Sequence, residues 1–152
     1  MDIFAYYDCS LDAPEVQPAW VPLWERSWRA RGWNPRLITA RHARRSKLYA
    51  HYKNRPLAMP LLALHAVGGG WLSRLEVINF SFEPKALSKS FTAVGPGIFQ
   101  ATRPALERYL KTGKRSVACS AWCSLYGEAY WLKSQLVSFA SPEEALACGR
   151  EF

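Results

Sequence analysis

The chain has 152 residues, of which 49% are hydrophobic and 14% aromatic, and its formal net charge is +8. This composition excludes a disordered chain, and the length favours one domain over residues 1–152. No apolar run reaches the ~20 residues of a membrane span and no basic leader precedes one, so we expect a cytoplasmic protein without a membrane partner.

The first two elements are predicted by their apolar patterns. Residues 2–8 are apolar on both alternations, which indicates a central parallel strand covered on both faces. Trp20, Trp24 and Trp28 recur every four residues. This spacing predicts an amphipathic helix that ends at Gly32 and places the tryptophans in the core.

The rest of the chain continues to alternate between strand and helix patterns. We predict a strand at 35–39, a basic helix at 40–53 and an apolar helix at 56–67. A strand follows at 71–82, and a strand that runs into a helix at 97–113. The last elements are a helix at 120–133, a strand at 136–140 and a closing helix at 141–149. Pro60 must then lie in the first turn of the apolar helix, and Ser141 is a suitable N-cap. This order predicts a single Rossmann-like α/β/α sandwich with a mostly parallel sheet.

The carboxyl ends of the strands are the expected place for a ligand in such a sheet. Tyr7 and Asp8 follow the first strand, and the turn at 74–76 lies within the strand pattern after the glycines, so both are candidate pocket walls. The glycines at 68–70 end the apolar helix where the chain needs positive φ or a close backbone approach. They do not form a phosphate loop, because no Gly-Lys-Ser/Thr follows them.

A family resemblance rests on the stretch LALHAVGGGWLSRLEVINF. An apolar helix, glycines, an aromatic residue and a short motif before an apolar strand resemble the DXD region of sugar transferases with an A-type glycosyltransferase fold. In this register Arg74, Leu75 and Glu76 occupy the D-x-D positions. The segments WERSWRARGWNPRLI, GPGIFQATRPALERYL and YGEAYWLKSQLVSFASP resemble other parts of related small bacterial and phage proteins.

The resemblance implies a nucleotide-sugar substrate and a divalent cation, Mn²⁺ or Mg²⁺, that bridges its diphosphate. This chain departs from the family pattern at three positions. Arg74 replaces the first acidic residue, Ser138 stands where a late histidine is usual, and Pro60 stands where a basic residue is frequent. A cationic Arg74 opposes a metal by Coulomb repulsion, so we expect no metal ligands and a lost or altered metal-dependent reaction.

The resemblance also assigns roles to individual residues. Arg74 would contact the diphosphate in place of the metal, and Glu76 would orient Arg74 or a sugar hydroxyl, which makes these two the candidate catalytic residues. The candidate substrate-binding residues, with Tyr6, Tyr7 or Trp71 as a stacking surface, are Tyr6, Tyr7, Asp8, Gly69, Gly70, Trp71 and Ser138.

A second interpretation is a binding protein that keeps the fold without catalysis, for example a phage-encoded antagonist of a host protein. Its contact surface would be the basic face at 26–55, which favours a nucleotide, a nucleic acid or an acidic protein. We interpret His65 as a satisfied core residue and His42 and His51 as surface residues. The four cysteines are too few and too scattered for a disulfide scaffold, and we interpret the pair Cys119 and Cys123 as buried reduced thiols rather than a metal site.

Overall fold

The computed structural model describes residues 1–7, 18–55, 58–87, 89, 91–95, 97–112 and 135–151. The strands in these ranges are β1 (Asp2–Tyr6), β2 (Asn34–Ile38), β3 (Gly69–Ser73), β4 (Val77–Asn79), β5 (Thr92–Gly95), β6 (Ile98–Thr102) and β7 (Leu136–Ser138). The helices are α1 (Trp20–Arg29), α2 (Ala40–Arg44), α3 (Tyr49–Tyr52), α4 (Ala58–Ala66), α5 (Arg103–Thr112) and α6 (Pro142–Ala147). The helix predicted at 120–133 lies outside the described residues.

The main sheet has the strand order β2-β1-β3-β6-β5. β1 pairs in parallel with β2 on one side and with β3 on the other, which confirms the prediction of a central parallel strand. β6 runs antiparallel to both β3 and β5, so it alone opposes the other four strands of this sheet. The chain therefore forms an α/β fold with a mostly parallel sheet.

Alternate residues of β1 and β3 pack into two separate cores, one on each face of the main sheet. Ile3 and Trp71 pack with α1, β4 and α6 in the first core, whereas Phe4 and Leu72 pack with α4 and α5 in the second. The sheet is thus covered by helices on both faces, as the doubly apolar pattern of residues 2–8 predicts.

Tryptophans in and after α1 attach the segment 73–82 to the first core. The indole of Trp28 donates to the Val77 carbonyl (3.1 Å), and the indole of Trp33 donates to the Phe82 carbonyl (2.8 Å). The indole of Trp24 lies 3.4 Å from Ser73 Oγ and donates to it. Trp20, Trp24 and Trp28 are all buried, so the predicted apolar stripe is confirmed.

Two predicted elements are divided in the structure. The strand expected at 71–82 is wrong as one element, because the chain turns at Arg74–Glu76 and β4 leaves the main sheet to pair antiparallel with β7. The basic helix expected at 40–53 is also wrong as one element, since α2 ends at Arg44 and α3 begins at Tyr49. The sequence patterns do not predict β5.

The helix termini follow the local signals. Thr39 caps α2, since its Oγ1 accepts the Arg41 N–H at 3.2 Å. Ser141 caps α6 as predicted, its Oγ accepting the Glu144 N–H at 3.1 Å. Pro60 lies in the first turn of α4, where its missing N–H costs no helical hydrogen bond. In the described ranges, we find no helix with the length and hydropathy to cross a membrane.

Candidate functional site

A change of direction in the strand order lies between β1 and β3. The chain passes from β1 to β2 on one side of it and then returns to β3 on the other side. Phe4 is level with Leu72, and both strands end within two residues of this pair, at Tyr6 and Ser73. The residues that follow the two strands, Tyr7 and Arg74, therefore belong to the same edge of the sheet, where ligands of such folds bind.

The turn between β3 and β4 is built around Arg74. Its N–H donates to the Gly97 carbonyl at 2.7 Å, and its own carbonyl accepts the Val77 N–H at 3.2 Å. Ser73 Oγ–H also donates to that carbonyl, at 2.8 Å. These backbone bonds fix the turn where the D-x-D motif was placed, and they end β3 at Ser73.

The Arg74 side chain forms an ion pair with Glu76 across this turn. Arg74 is 43% exposed and Glu76 is 20% exposed, so solvent reaches the guanidinium more easily than the carboxylate. The stem of Arg74 lies against Gly97, where an added Cβ would come within 2.6 Å of Arg74 Cδ. Glycine at 97 therefore leaves the space that the arginine stem occupies.

Ser138 lies next to the same turn. It pairs with Val77 in the β4–β7 sheet, and the following residue, Phe139, donates its N–H to the Glu76 carbonyl at 3.2 Å. Arg74, Glu76 and Ser138, three of the positions that the resemblance singles out, are thus brought together although the first and the last are 64 positions apart in the sequence. Ser138 is exposed, so its hydroxyl is accessible beside the turn.

The aromatic candidates are placed differently from one another. Tyr6 and Tyr7 are half-buried at the end of β1, and Tyr7 packs on the first core. Trp71 is only 2% exposed and its indole donates to the Lys85 carbonyl at 3.0 Å, so its ring lies among core aromatics and offers no stacking surface. Asp8 lies outside the described residues.

The glycines before β3 are explained by packing. Gly68, Gly69 and Gly70 all have positive φ, at 100°, 85° and 143°. An added Cβ at Gly69 would lie 2.7 Å from both the Ala101 carbonyl oxygen and the Arg103 nitrogen. At Gly70 it would lie 3.1 Å from the Phe4 ring. The predicted need for positive φ and close approach is confirmed, and at Gly69 and Gly70 the approaching groups belong to the protein.

No group of three His, Cys, Asp or Glu side chains that could hold a metal occurs among the residues that the structure describes. Glu76, the carboxylate of the turn, is paired with Arg74. Cys148 is a free, exposed thiol. The other cysteines lie outside the described ranges.

A polar network that the sequence did not reveal lies under α2, α4 and α5. His65 Nδ1 is 2.9 Å from Ser46 Oγ, and His65 Nε2 is 3.0 Å from Glu107 Oε1. Lys47 Nζ lies 3.1 Å from the same carboxylate oxygen. His65 and Ser46 are buried, which confirms His65 as a satisfied core residue.

The Ser46–His65–Glu107 network has the residue types of a nucleophilic triad, but its geometry is structural. Ser46 Oγ also accepts the Leu48 N–H at 3.2 Å, and the serine is 6% exposed, so no substrate can reach it. Hydrogen bonds from His65 and then Lys47 lower the pKa of Glu107 to about 2. The network therefore joins the segment between α2 and α3 to α4 and α5, with the Glu107 carboxylate as the group that contacts both His65 and Lys47.

Comparisons with known proteins give no relative. No family model matches the chain, and neither the curated proteins nor the solved structures contain a significant match.

Proposed function

We propose that this chain is a glycosyltransferase-like protein, with the Rossmann-like core of an A-type enzyme, that binds the diphosphate of a nucleotide sugar through Arg74. The observation that carries the proposal is the position of Arg74 at the carboxyl end of β3, beside the change in strand order. Ligands of open α/β sheets bind at such points, and a guanidinium matches phosphate oxygens without help from a metal.

In this proposal Arg74 replaces the cation that would neutralise the leaving diphosphate. Its backbone is held by Gly97 and its guanidinium by Glu76, so the fork is positioned before a ligand arrives. Preorganised positive charge is effective because it needs no reorganisation when negative charge develops. Glu76 then orients the guanidinium or accepts a hydrogen bond from a sugar hydroxyl.

A calorimetric titration with UDP-, GDP-, dTDP- and CMP-linked sugars, each with and without Mn²⁺, tests the site. We expect micromolar binding of at least one of the three diphosphate compounds without Mn²⁺, and weaker binding of the CMP sugar, which carries a single phosphate. Arg74→Ala should weaken the diphosphate compound at least about tenfold, since a charge-assisted bidentate contact is lost. Arg74→Lys keeps the charge and loses the fork, so its affinity should lie between that of the parent protein and that of Arg74→Ala.

Glu76→Gln separates the arginine mechanism from a metal mechanism. If Arg74 binds the diphosphate, Glu76→Gln keeps Mn²⁺-free affinity, because glutamine still accepts a hydrogen bond that orients the guanidinium and carries no charge that competes with the ligand. If Glu76 ligates a metal, the same variant loses Mn²⁺-dependent affinity. Binding that requires Mn²⁺ and survives Arg74→Ala contradicts the proposal, and so does the failure of all four sugars to bind.

The second candidate function is nucleotide capture without turnover, and the Arg74–Glu76 ion pair favours it. Glu76 is the carboxylate of the turn and its oxygen is engaged by the Arg74 guanidinium, so it is not free to take a proton from an acceptor hydroxyl while the pair is formed. Release of free nucleoside diphosphate from the bound nucleotide sugar distinguishes the two functions. Stoichiometric binding without release supports capture, and continuous release supports an enzyme.

A further inference from the structure

The cationic residues at 26–55 are divided by the main sheet. Arg26 and Arg29 lie on α1, which packs on the first core, whereas α2 and α3 belong to the opposite face. We call the second group the α2–α3 basic face. Its exposed cationic side chains are Arg41, Arg44, Arg45, Lys47 and Lys53.

The α2–α3 basic face has little acidic charge to neutralise it. The sequence has no aspartate or glutamate between Glu25 and Glu76. Lys47 pairs with Glu107 from α5. In the described ranges no carboxylate lies within ion-pair distance of Arg41, Arg44 or Arg45. These three guanidiniums are therefore open to an anionic partner.

The local field is strong enough to affect a neighbouring histidine. Burial lowers the pKa of His42, and the positive charges of Arg45, Arg41 and Arg36 lower it further. His42 is half-buried rather than on the surface as predicted, and its Nδ1 accepts the Thr39 N–H at 3.1 Å. Burial is the larger cause of the lowered His42 pKa, and the three arginines that add to it lie on or next to α2.

Aromatic rings are interleaved with the cations of α3. Tyr49 and Tyr52 are half-buried, and His51 is exposed beside the Tyr52 ring at 6.2 Å. Lys53 Nζ is 5.9 Å from the Tyr49 ring centroid, and the Arg55 guanidinium is 4.8 Å from the Tyr52 centroid. Cations held on ring faces next to an exposed imidazole form a combination that contacts both phosphates and bases.

The α2–α3 basic face lacks the apolar anchor that other anionic partners would require. The exposed large hydrophobic residues of the described chain are Met1, Val67, Leu87 and Leu146, and none lies between 40 and 55. The core of a protein interface is usually apolar and depleted of charged residues, and an interfacial membrane helix has an apolar face. A nucleic-acid backbone needs neither, because phosphate contacts dominate its affinity.

We propose that the α2–α3 basic face binds the phosphate backbone of a nucleic acid, with Arg41, Arg44 and Arg45 as the main phosphate contacts. The proposal does not depend on the Arg74 site, since α2 packs with α4 in the second core and none of its residues takes part in the described contacts of the Arg74 turn. Binding through backbone phosphates is expected to tolerate sequence changes and to weaken steeply with salt.

Fluorescence anisotropy with a labelled 20-nucleotide single strand and the corresponding duplex, at several salt concentrations, tests the face. We expect saturable binding at low salt with at least one of the two forms. The triple variant Arg41→Gln/Arg44→Gln/Arg45→Gln should reduce the magnitude of the log K against log salt slope by about 2 to 3, or about one per lost phosphate contact.

A matched pair of charge reversals controls for net charge. Arg44 and Arg29 are exposed and each is the last residue of its helix, in α2 and α1. Arg44→Glu should weaken binding about tenfold or more, while Arg29→Glu should change it less than threefold, and circular dichroism checks that both variants fold. Equal losses in the two variants would overturn the proposal. So would the absence of binding at low salt, or equally tight binding of poly-glutamate, a displacement probe for acidic protein surfaces.

Discussion

At the scale of single residues, Gly68 and Gly69 show two different physical reasons for glycine in the run at 68–70. Both have positive φ, at 100° and 85°. An added Cβ at Gly68 meets no described atom within 4 Å, whereas at Gly69 it meets backbone of β6 and α5 at 2.7 Å. The first position therefore tests backbone conformation alone, and the second tests conformation together with close packing.

We predict that Gly68→Ala lowers the free energy of unfolding by about 1 kcal/mol, the cost of a left-handed alanine. Gly69→Ala should lower it by about 3 kcal/mol or more, because a clash with rigid backbone adds to that cost. Urea unfolding of the two variants measures the difference. Similar midpoints for both would show that the β3–β6 contact relaxes around an added methyl group.

The residue scale also shows what sequence patterns can predict about the site. The motif register placed Arg74 and Glu76 in one short segment, and side chains so close in sequence are brought together by any turn. The contact between Arg74 and Gly97 could not be predicted from the sequence, because it depends on β6 lying next to β3. Burial of Trp71 was also not predictable, because an aromatic residue in a strand fits a core and a pocket wall equally well.

At the scale of elements, the break between α2 and α3 has a local cause. Ser46 turns its hydroxyl to the Leu48 N–H and to His65, and such side-chain bonds to nearby backbone compete with helical hydrogen bonds. The charge pattern of 40–53 predicted a helix because it contains helix-forming residues throughout. The composition of 40–53 is thus enough to predict a helix there. The position of the break is not predictable in this way, because it depends on the contact between Ser46 and His65, 19 positions later.

The Glu107 carboxylate links these elements to acid stability. Its pKa is about 2 in the folded chain against an ordinary 4.5, so the unfolded chain binds the proton more readily. The stabilisation is fully present above about pH 4.5 and is lost as the pH falls through about 2. Lys47 and His65 are the groups that face this carboxylate.

We predict that Glu107→Gln flattens the fall in stability between pH 4.5 and 2, the interval set by its pKa in the unfolded and folded chain. Glutamine keeps an acceptor for His65 and loses the titrating charge, so the variant should be less stable than the parent at pH 6 and closer to it at pH 2.5. Thermal melts across this range measure both. Parallel pH profiles for the parent and the variant would show that protonation of Glu107 does not cause the loss of stability.

At the scale of the whole molecule, the first core holds the candidate site through three indole hydrogen bonds. Trp24, Trp28 and Trp33 each donate to a residue 49 positions later. The segment 73–82 therefore runs alongside α1 and the residue before β2, with a constant offset in sequence. This arrangement explains why β4 can leave the main sheet and remain buried. Alternation alone had favoured one continuous strand, because the separate β4–β7 pairing is a long-range contact.

We predict that Trp28→Phe lowers the free energy of unfolding by about 2 to 4 kcal/mol, since it removes a hydrogen bond to a buried carbonyl and leaves space in the core. Trp20→Phe is the control, because Trp20 is buried in the same core and makes no described hydrogen bond to 73–82. Hydrogen exchange should accelerate at 74–79 in Trp28→Phe more than in Trp20→Phe. Equal acceleration would mean that packing alone holds the turn.

The ion pair in the β3–β4 turn has a consequence for selectivity. Glu76 acts as a tethered competitor, present beside Arg74 at a far higher local concentration than any dissolved anion. Chloride or acetate, each with a single charge, gains little by displacing a carboxylate that is already in place. If the proposed diphosphate binds at this turn, its several closely spaced negative oxygens gain more than they displace, and we then expect the turn to select anions by their charge density.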